Sequence, residues 1–512
     1  MAPFSSHRTA KLISSLDRPP MTARLLSSEV IFPNPANAAN PAEKSITLTK
    51  WDDLAKSMTV RIFFFYRKSL DLDKLRQALI VALEKEFPIL AGRLICEDNG
   101  QWKVLLWEEE QSSAGAEWRV AETSIPFDTI VPQFTSDGGI ERSSQGREKP
   151  KLMWLIGNPS CQISDYDGSQ GNNRHRLFRA QVTRFPGGET CVAVNIPHIL
   201  VDGDAAFYFM KRWAQISQSL DVIPPINTLP NRIDAMSKIT SNAEKVPRDF
   251  KSTSIKKLTW WQSLLMKWMF SILLLTQEES ATHQIFITKD QLAKLKREAT
   301  QNFETSKDTT ADVQPLRIST LDALSAHLWR CFQSVYRSSS PVSFSHAVNL
   351  RPRLAECFPD GAYYFGNFSE PIYTEPIANV AEQPLNVLAH SIRKSIHNYV
   401  SPSNPSAHIR MVNFITWLVT QPANQKMIFG GTFNDTRMSS WRDFPAYEVQ
   451  FAASKDENGE QNIAEVEFVM QQTSPALGMV LVVLPCKDGS VYLDVYGKKS
   501  AIKDVINAMI DI

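Results

Sequence analysis

Short strand-like runs alternate with helical-period runs along most of this chain. The stretch TVRIFFFYR at 59–67 is β-branched and aromatic, which suits a strand. DLDKLRQALIVALEKEFPILAGRL follows, with Leu75, Leu79 and Leu83 on one helical face until Pro88 ends the helix. Further on, HRLFRAQVTRF and TCVAVNI are joined by the turn-forming PGGE, so the spacing predicts a hairpin. Then comes IPHILVDG, after which DAAFYFMKRWAQIS places Ala206, Phe209, Met210, Trp213 and Ile216 at helical spacing. His198 therefore lies at a strand-to-helix junction. The later half repeats the alternation, with strand-like HQIFIT, helical KDQLAKLKREA and STLDALSAHLWRCFQSVYR, and strand-like SFSHAVNL, IAEVEFVMQQ, LGMVLVVL and SVYLDVYG. No internal repeat of solenoid period is visible.

Two stretches read as surface loops: residues 134–150, rich in Gly, Ser and charge, and the polar region near 301–314. Residues 221–257 carry four prolines and no clean period, which predicts a long crossover. On that reading the chain divides into an N-terminal domain 1–220, a linker 221–257 and a C-terminal domain 258–512.

The segment LTWWQSLLMKWMFSILLL, 258–275, follows Lys256 and Lys257 and is nearly long enough to span a bilayer. Lys267 would sit near its middle, where a lysine costs about 3 kcal/mol on insertion scales. Ser263, Lys267 and Ser271 recur at four-residue spacing, a narrow wet edge on a broad apolar surface. The first expectation is a helix packed into the protein; an interfacial membrane helix and a span are the alternatives.

Composition narrows the classes. Across 512 residues, 43% are hydrophobic and 21% charged, with a net charge of +1, so the chain is an ordinary globular one with no electrostatic reason to expect nucleic acid or an anionic membrane surface as its main partner. Six scattered cysteines without a CxxC pair read as reduced thiols of a cytoplasmic protein, not as a zinc or disulfide framework. The Ser-rich, basic N-terminus lacks the apolar core of a secretory signal, and the C-terminus carries no retention or peroxisomal address.

A histidine exchanges protons near neutral pH, so His198 can serve as a general base. Asp202, four residues on, would act less as a proton carrier than as an anchor that holds the loop, and Gly203 would supply a backbone angle that a Cβ forbids. A plainer account is also open: Asp202 as an ordinary helix N-cap and His198 as a satisfied polar residue. A metal site on His198 and Asp202 has no third ligand at telling spacing, so no metal is expected.

Several segments, in order, resemble the BAHD family of coenzyme A-dependent acyltransferases, including fungal relatives that acylate trichothecene-type natural products. They are FPILAGRL (87–94), HILVDG (198–203), STLDALSAHLWRC (319–331), NLRPRL (349–354), YYFGN (363–367) and SSWRDFPAYEVQF (439–451), within about 60–500 of the chain. Where the family usually reads DFGWG, this chain reads QFAAS at 450–454. The resemblance implies an α/β fold of two similar chloramphenicol-acetyltransferase-like domains, each a mixed sheet with flanking helices, around a central channel. It implies acyl transfer, acetyl being the first guess, from acyl-CoA as co-substrate to a hydroxyl or amine of a small secondary metabolite, by a monomer with no bound cofactor and no acyl-enzyme.

Carried over by position, His198 resembles the general base and Asp202 the structural carboxylate. The family pairs that carboxylate with an arginine of the second half, Arg351 first and Arg353 second here. Ser439 and Trp441 resemble residues lining the reaction centre, where a hydroxyl or indole N–H could face an oxyanion, with core packing the better reading for Trp441. Gly366 and Asn367 are expected to shape a tight turn. Ser319 and Thr320 are candidates to touch the coenzyme, although helix capping is the simpler account. Two further readings stay open: a non-catalytic relative, favoured by QFAAS, and a condensation-domain-like enzyme, which normally doubles the histidine where this chain has Pro197.

Overall fold

The computed structural model describes residues 22–107, 114–132, 147–157, 166–167, 175–219, 232–241, 250, 252, 254–276, 280–301, 316–338, 340–355, 358, 362–401, 403–432, 434–472 and 479–510. The loops expected at 134–150 and 301–314, and the N-terminal segment, lie almost wholly outside these residues.

Two mixed sheets organise the chain. The first has six strands in the order Arg24–Ile31, Ala116–Glu122, Phe178–Arg184, Thr190–Pro197, Thr59–Tyr66 and Val466–Gln471. All its neighbours are antiparallel except the second and third, which run parallel. Every residue of Thr59–Tyr66 and of Thr190–Pro197 is buried, as a strand covered on both faces requires. The second sheet has seven strands, ordered Ser369–Tyr373, Phe344–Asn349, Thr436–Ser440, Met479–Pro485, Val491–Lys498, Ser280–Ile287 and Arg147–Glu148. Thr436–Ser440 pairs in parallel with both its neighbours.

Helices cover these sheets through apolar stripes. Leu72–Lys85 buries Leu75, Ala78, Leu79, Ala82 and Leu83, and stops before Pro88 as the sequence pattern predicts. Gly203–Gln218 turns Ala206, Phe209, Met210, Trp213 and Ile216 into the same core. The predicted hairpin is present, with Gly188 at a φ of +90° in its turn. In the second half, Thr320–Tyr336 and Leu385–Val400 bury their stripes in a separate core.

Three sequence readings are corrected. The split at 221–257 is crossed twice: Val466–Gln471 completes the first sheet, and Arg147–Glu148 joins the second. The supposed linker holds a helix, Arg232–Ser241, whose Ala235, Met236 and Ile239 are core residues. And the Trp-rich segment is a helix, Trp260–Thr276, but not a packed one: Trp260, Trp261, Leu264, Leu265 and Trp268 are all exposed. No helix among the described residues is long and apolar enough to cross a membrane.

His346 sits on the strand that leads to Arg351, buried and with its Nε2 unpaired among the described residues. Burial pushes its pKa from 6.5 to about 4, against a smaller upward pull from Asp322. Between those values the unfolded chain binds a proton that the folded chain refuses, so this group costs nothing above pH 7 and costs stability as pH falls toward 4. The expected loss is about 3 kcal/mol at the acid end. Urea titrations from pH 7 to 4 should show that part of the slope in the wild type and its disappearance in His346→Met.

Candidate active site

His198 is the first residue beyond the buried strand Thr190–Pro197, and its backbone N–H donates to Met58 O at 2.9 Å. The chain turns there, Leu200 N to Pro197 O at 3.0 Å, and enters the helix that Asp202 caps through Ala205 N at 3.0 Å. A rigid strand end and a capped helix start thus hold a half-buried imidazole.

The ring's partner comes from the other half of the molecule. His198 Nδ1 lies 2.9 Å from Asn367 Oδ1. Asn367 Nδ2 donates to Asp52 Oδ1 at 2.9 Å and to the His198 carbonyl at 2.8 Å. A carboxylate and a carbonyl only accept, so they orient the amide with its oxygen toward the ring. An amide oxygen cannot donate, so in the neutral ring the proton sits on Nδ1 and the lone pair on Nε2. Asp52 is itself fully buried and fixed: its Oδ2 accepts from Thr49 N at 2.8 Å and Thr49 Oγ1 at 2.9 Å, and Arg232 Nη1 lies 2.8 Å from its Oδ1. Arg232 also reaches the Leu200 carbonyl inside the His198 turn.

Asp202 is buried and pairs with Arg351 through two contacts, Nη1 to Oδ2 at 2.9 Å and Nη2 to Oδ1 at 3.1 Å. Phe368 N adds a third donor at 2.9 Å. Burial alone would raise the Asp202 pKa, but the Arg351 charge and these hydrogen bonds outweigh it and hold the carboxyl below its ordinary range. Arg351 uses every donor it has, giving Nε to Tyr364 O at 3.0 Å, Nη1 also to Asn349 Oδ1 at 3.2 Å, and Nη2 also to Gly366 O at 2.7 Å. The pair therefore ties the histidine turn to the second half of the chain. Arg353 takes no part in it and donates instead to Asn349 O.

Gly203 is not at a positive φ, contrary to expectation; a Cβ there would come within 2.8 Å of the Phe444 ring, so close approach is what requires glycine. Gly366 likewise meets Arg232 and Tyr364 at 3.0 Å. Trp441 is buried against Phe207 and Phe444, and its indole N–H donates to Ser439 Oγ at 3.1 Å. Its N–H is thus already committed, whereas Ser439 keeps its hydroxyl proton. The Trp441 Nε1 lies 3.4 Å from where a Gly203 Cβ would be, which sets this pair beside the start of the capped helix. Ser319 caps Thr320–Tyr336 in a box with Asp322, Oγ to Oδ2 at 2.7 Å, and Thr320 opens that helix. The QFAAS segment packs: Phe451 meets Trp213 edge-on at 4.8 Å, and Ala452 N donates to Ser217 Oγ at 3.1 Å. No cluster of three or more metal-ligating side chains occurs among the described residues.

Asp52 and Arg232 escaped the sequence reading. The local signal for Asp52 is its place three residues after Thr49 in a capping box, which points to a helix start and not to the site, and Arg232 lay in the stretch read as linker. Asn367 was expected to shape a turn, whereas it holds the ring. In Asn367→Ala the tautomer constraint goes, and on the general-base reading proposed below the turnover number should fall about 10- to 100-fold, the scale found when the partner that orients a metal-bound histidine is removed. KM for the thioester should change little; steady-state kinetics at one pH checks both values.

A mixed α/β architecture in two halves, with a histidine turn on one half clamped by an arginine and an asparagine from the other, defines a two-domain acyltransferase fold. The model of the Transferase family matches residues 162–496, more than half of the chain. This chain belongs to that family, the BAHD acyltransferases, whose members use acyl-CoA as co-substrate. It is 22% identical to agmatine hydroxycinnamoyltransferase 1 of Oryza sativa subsp. japonica over 492 residues, 92% of this chain and 94% of that protein. It is 23% identical to the O-acetyltransferase PaAT-2 of Phomopsis amygdali over 405 residues, 72% and 76% of the two chains. The fold is that of F. graminearum TRI101, solved with coenzyme A and T-2 mycotoxin: TM-score 0.61, 17% identity, 90% of this chain and 96% of that one.

Proposed function

We propose that the chain transfers an acyl group, acetyl in the first instance, from coenzyme A to a hydroxyl or amine of a small secondary metabolite, with His198 as general base and no acyl-enzyme. The observation that carries this reading is the orientation of Asn367, whose amide oxygen faces Nδ1 and so puts the lone pair of the neutral ring on Nε2. Nε2 takes the proton of the acceptor O–H or N–H as that atom bonds to the thioester carbon. The tetrahedral intermediate collapses with loss of the C–S bond, and the imidazolium returns the proton to the thiolate, giving free coenzyme A. Ser439, whose hydroxyl donates to no partner among the described residues, is the donor proposed for the oxyanion. Asp202, Arg351, Gly203, Gly366 and Trp441 hold the seam; Arg353 lies outside the pair, and Ser319 and Thr320 remain candidates for the coenzyme. No Ser or Cys among the described residues is hydrogen-bonded to the His198 ring, which favours direct attack over a covalent intermediate.

We place the protein in the cytoplasm as a monomer of two domains around a channel. The acetyl assignment leans on the O-acetyltransferase likeness; the hydroxycinnamoyl relative points to a bulkier donor. QFAAS favoured a non-catalytic relative, but its packing against the Gly203–Gln218 helix gives it an architectural part that does not need the DFGWG residues. The test is single-turnover thiol release from acetyl-, malonyl- and hydroxycinnamoyl-CoA with pools of hydroxylated and amino metabolites. Acceptor-dependent release from one donor supports the proposal and names the donor. Folded protein that releases no thiol in any pool overturns it in favour of the non-catalytic reading.

A further inference from the structure

The exposed helix Trp260–Thr276 has no part in the reaction above. Trp260 is 67% exposed, Trp261 62%, Leu264 54%, Leu265 55% and Trp268 63%. At about 100° per residue these five positions fall within about 140° of the helix circumference, one continuous face. Single exposed apolar residues need no explanation, but three tryptophans and two leucines side by side mark a contact surface.

We propose that this helix docks the protein on the surface of an anionic lipid bilayer, lying in the interface instead of crossing it. Charge argues for a lipid partner. From Phe250 to Gln277 the chain has no Asp or Glu and four lysines, among them Lys256 and Lys257 immediately before the helix, both exposed. Protein–protein contact surfaces are depleted in lysine, whereas a tryptophan-rich face flanked by lysines matches the interfacial zone and the negative charge of a phospholipid surface. Geometry argues for lying flat. At 1.5 Å per residue the 17-residue helix is about 25 Å long, short of the ~30 Å apolar thickness, and Lys267 interrupts its middle.

The helix is also held where it can present that face. Its leading strand, Ile255–Lys257, pairs antiparallel with Met427–Phe429, Leu258 N donates to Lys426 O at 2.9 Å, and Gln425 Nε2 donates to Leu258 O at 3.0 Å.

Co-sedimentation of the full chain with phosphatidylcholine vesicles, with and without phosphatidylserine, tests this. The wild type should bind the phosphatidylserine vesicles and release as salt rises. Trp260→Glu/Trp261→Glu/Trp268→Glu should lose binding at least tenfold, and Lys256→Glu/Lys257→Glu about tenfold on anionic vesicles only. Both variants should keep the wild-type melting temperature and thiol release in solution, because the changed side chains are exposed and outside the site. Absence of vesicle binding by folded wild type overturns the proposal. So does binding that the variants leave unchanged, or a wild-type dimer that the tryptophan variant converts to monomer, which would assign the face to a second copy.

Discussion

His198→Ala should lower thioester cleavage by about 10²- to 10⁴-fold with the KM for acyl-CoA little altered. That range is what general-base catalysis ordinarily contributes, the role proposed above for His198, and alanine leaves the Asp202–Arg351 pair in place. The fold should survive, because the His198 contacts that anchor the turn are largely made by its backbone: its N–H to Met58 and its carbonyl to Asn367. Circular dichroism and melting temperature measured beside single-turnover thiol release separate loss of chemistry from loss of structure. A variant that cleaves the thioester at the wild-type rate in the presence of acceptor would remove the histidine from the mechanism. A variant that unfolds would instead show that the ring itself, through Asn367, closes the two halves.

Arg351→Ala should destabilise the protein by about 3–5 kcal/mol, the usual consequence of leaving one member of a buried ion pair alone. Three features put this pair at the upper end. Asp202 and Arg351 are both buried, their contact is two-pronged, and the carbonyl of Tyr364 loses its Arg351 donor while that of Gly366 keeps only the longer contact from Asp202 N. Arg351→Lys should recover little, since an ammonium cannot serve both carboxylate oxygens and two carbonyls in one plane. Asp202→Asn/Arg351→Met should be more stable than Arg351→Ala, because no uncompensated charge remains. Equilibrium unfolding in urea at pH 7 ranks the three. The pair also predicts acid sensitivity: the depressed Asp202 pKa contributes stability above the ordinary carboxylate range of about 3.8 that is lost as pH falls below it. An Arg351→Ala loss below 1 kcal/mol would mean that the carboxylate finds water or another partner.

The elements were legible where the pattern was local. The 3.6-residue stripes at Leu75–Leu83 and Ala206–Ile216, the PGGE turn, and the capping residues Ser319 and Asp202 all work through neighbours a few positions away. Of the pairings across the halves, Arg351 with Asp202 was foreseen only through family likeness, since no local rule distinguishes Arg351 from Arg353. Asp52 and Arg232 could not be foreseen, because their partners lie 315 positions from Asp52 and 32 from Arg232 along the chain. Gly203 shows a subtler failure: the need for glycine was right, but the cause is the Phe444 ring and not the backbone angle. The exposed Trp260 face was misread because apolar composition alone cannot tell a core helix from a surface one.

The exchange of strands between the halves constrains how the chain can be made. Thr59–Tyr66, eight residues of nearly pure β-branched and aromatic side chains, is shielded on one side only by Val466–Gln471. A ribosome delivers that shield some four hundred residues after the strand it covers. Until then the strand, paired with Thr190–Pro197 on its other side, leaves an open and apolar edge on the nascent N-terminal half, the kind of edge that recruits other chains. The same geometry means that cutting the gene in the 221–257 region yields two fragments that should aggregate when expressed alone and reconstitute, if at all, only when co-expressed.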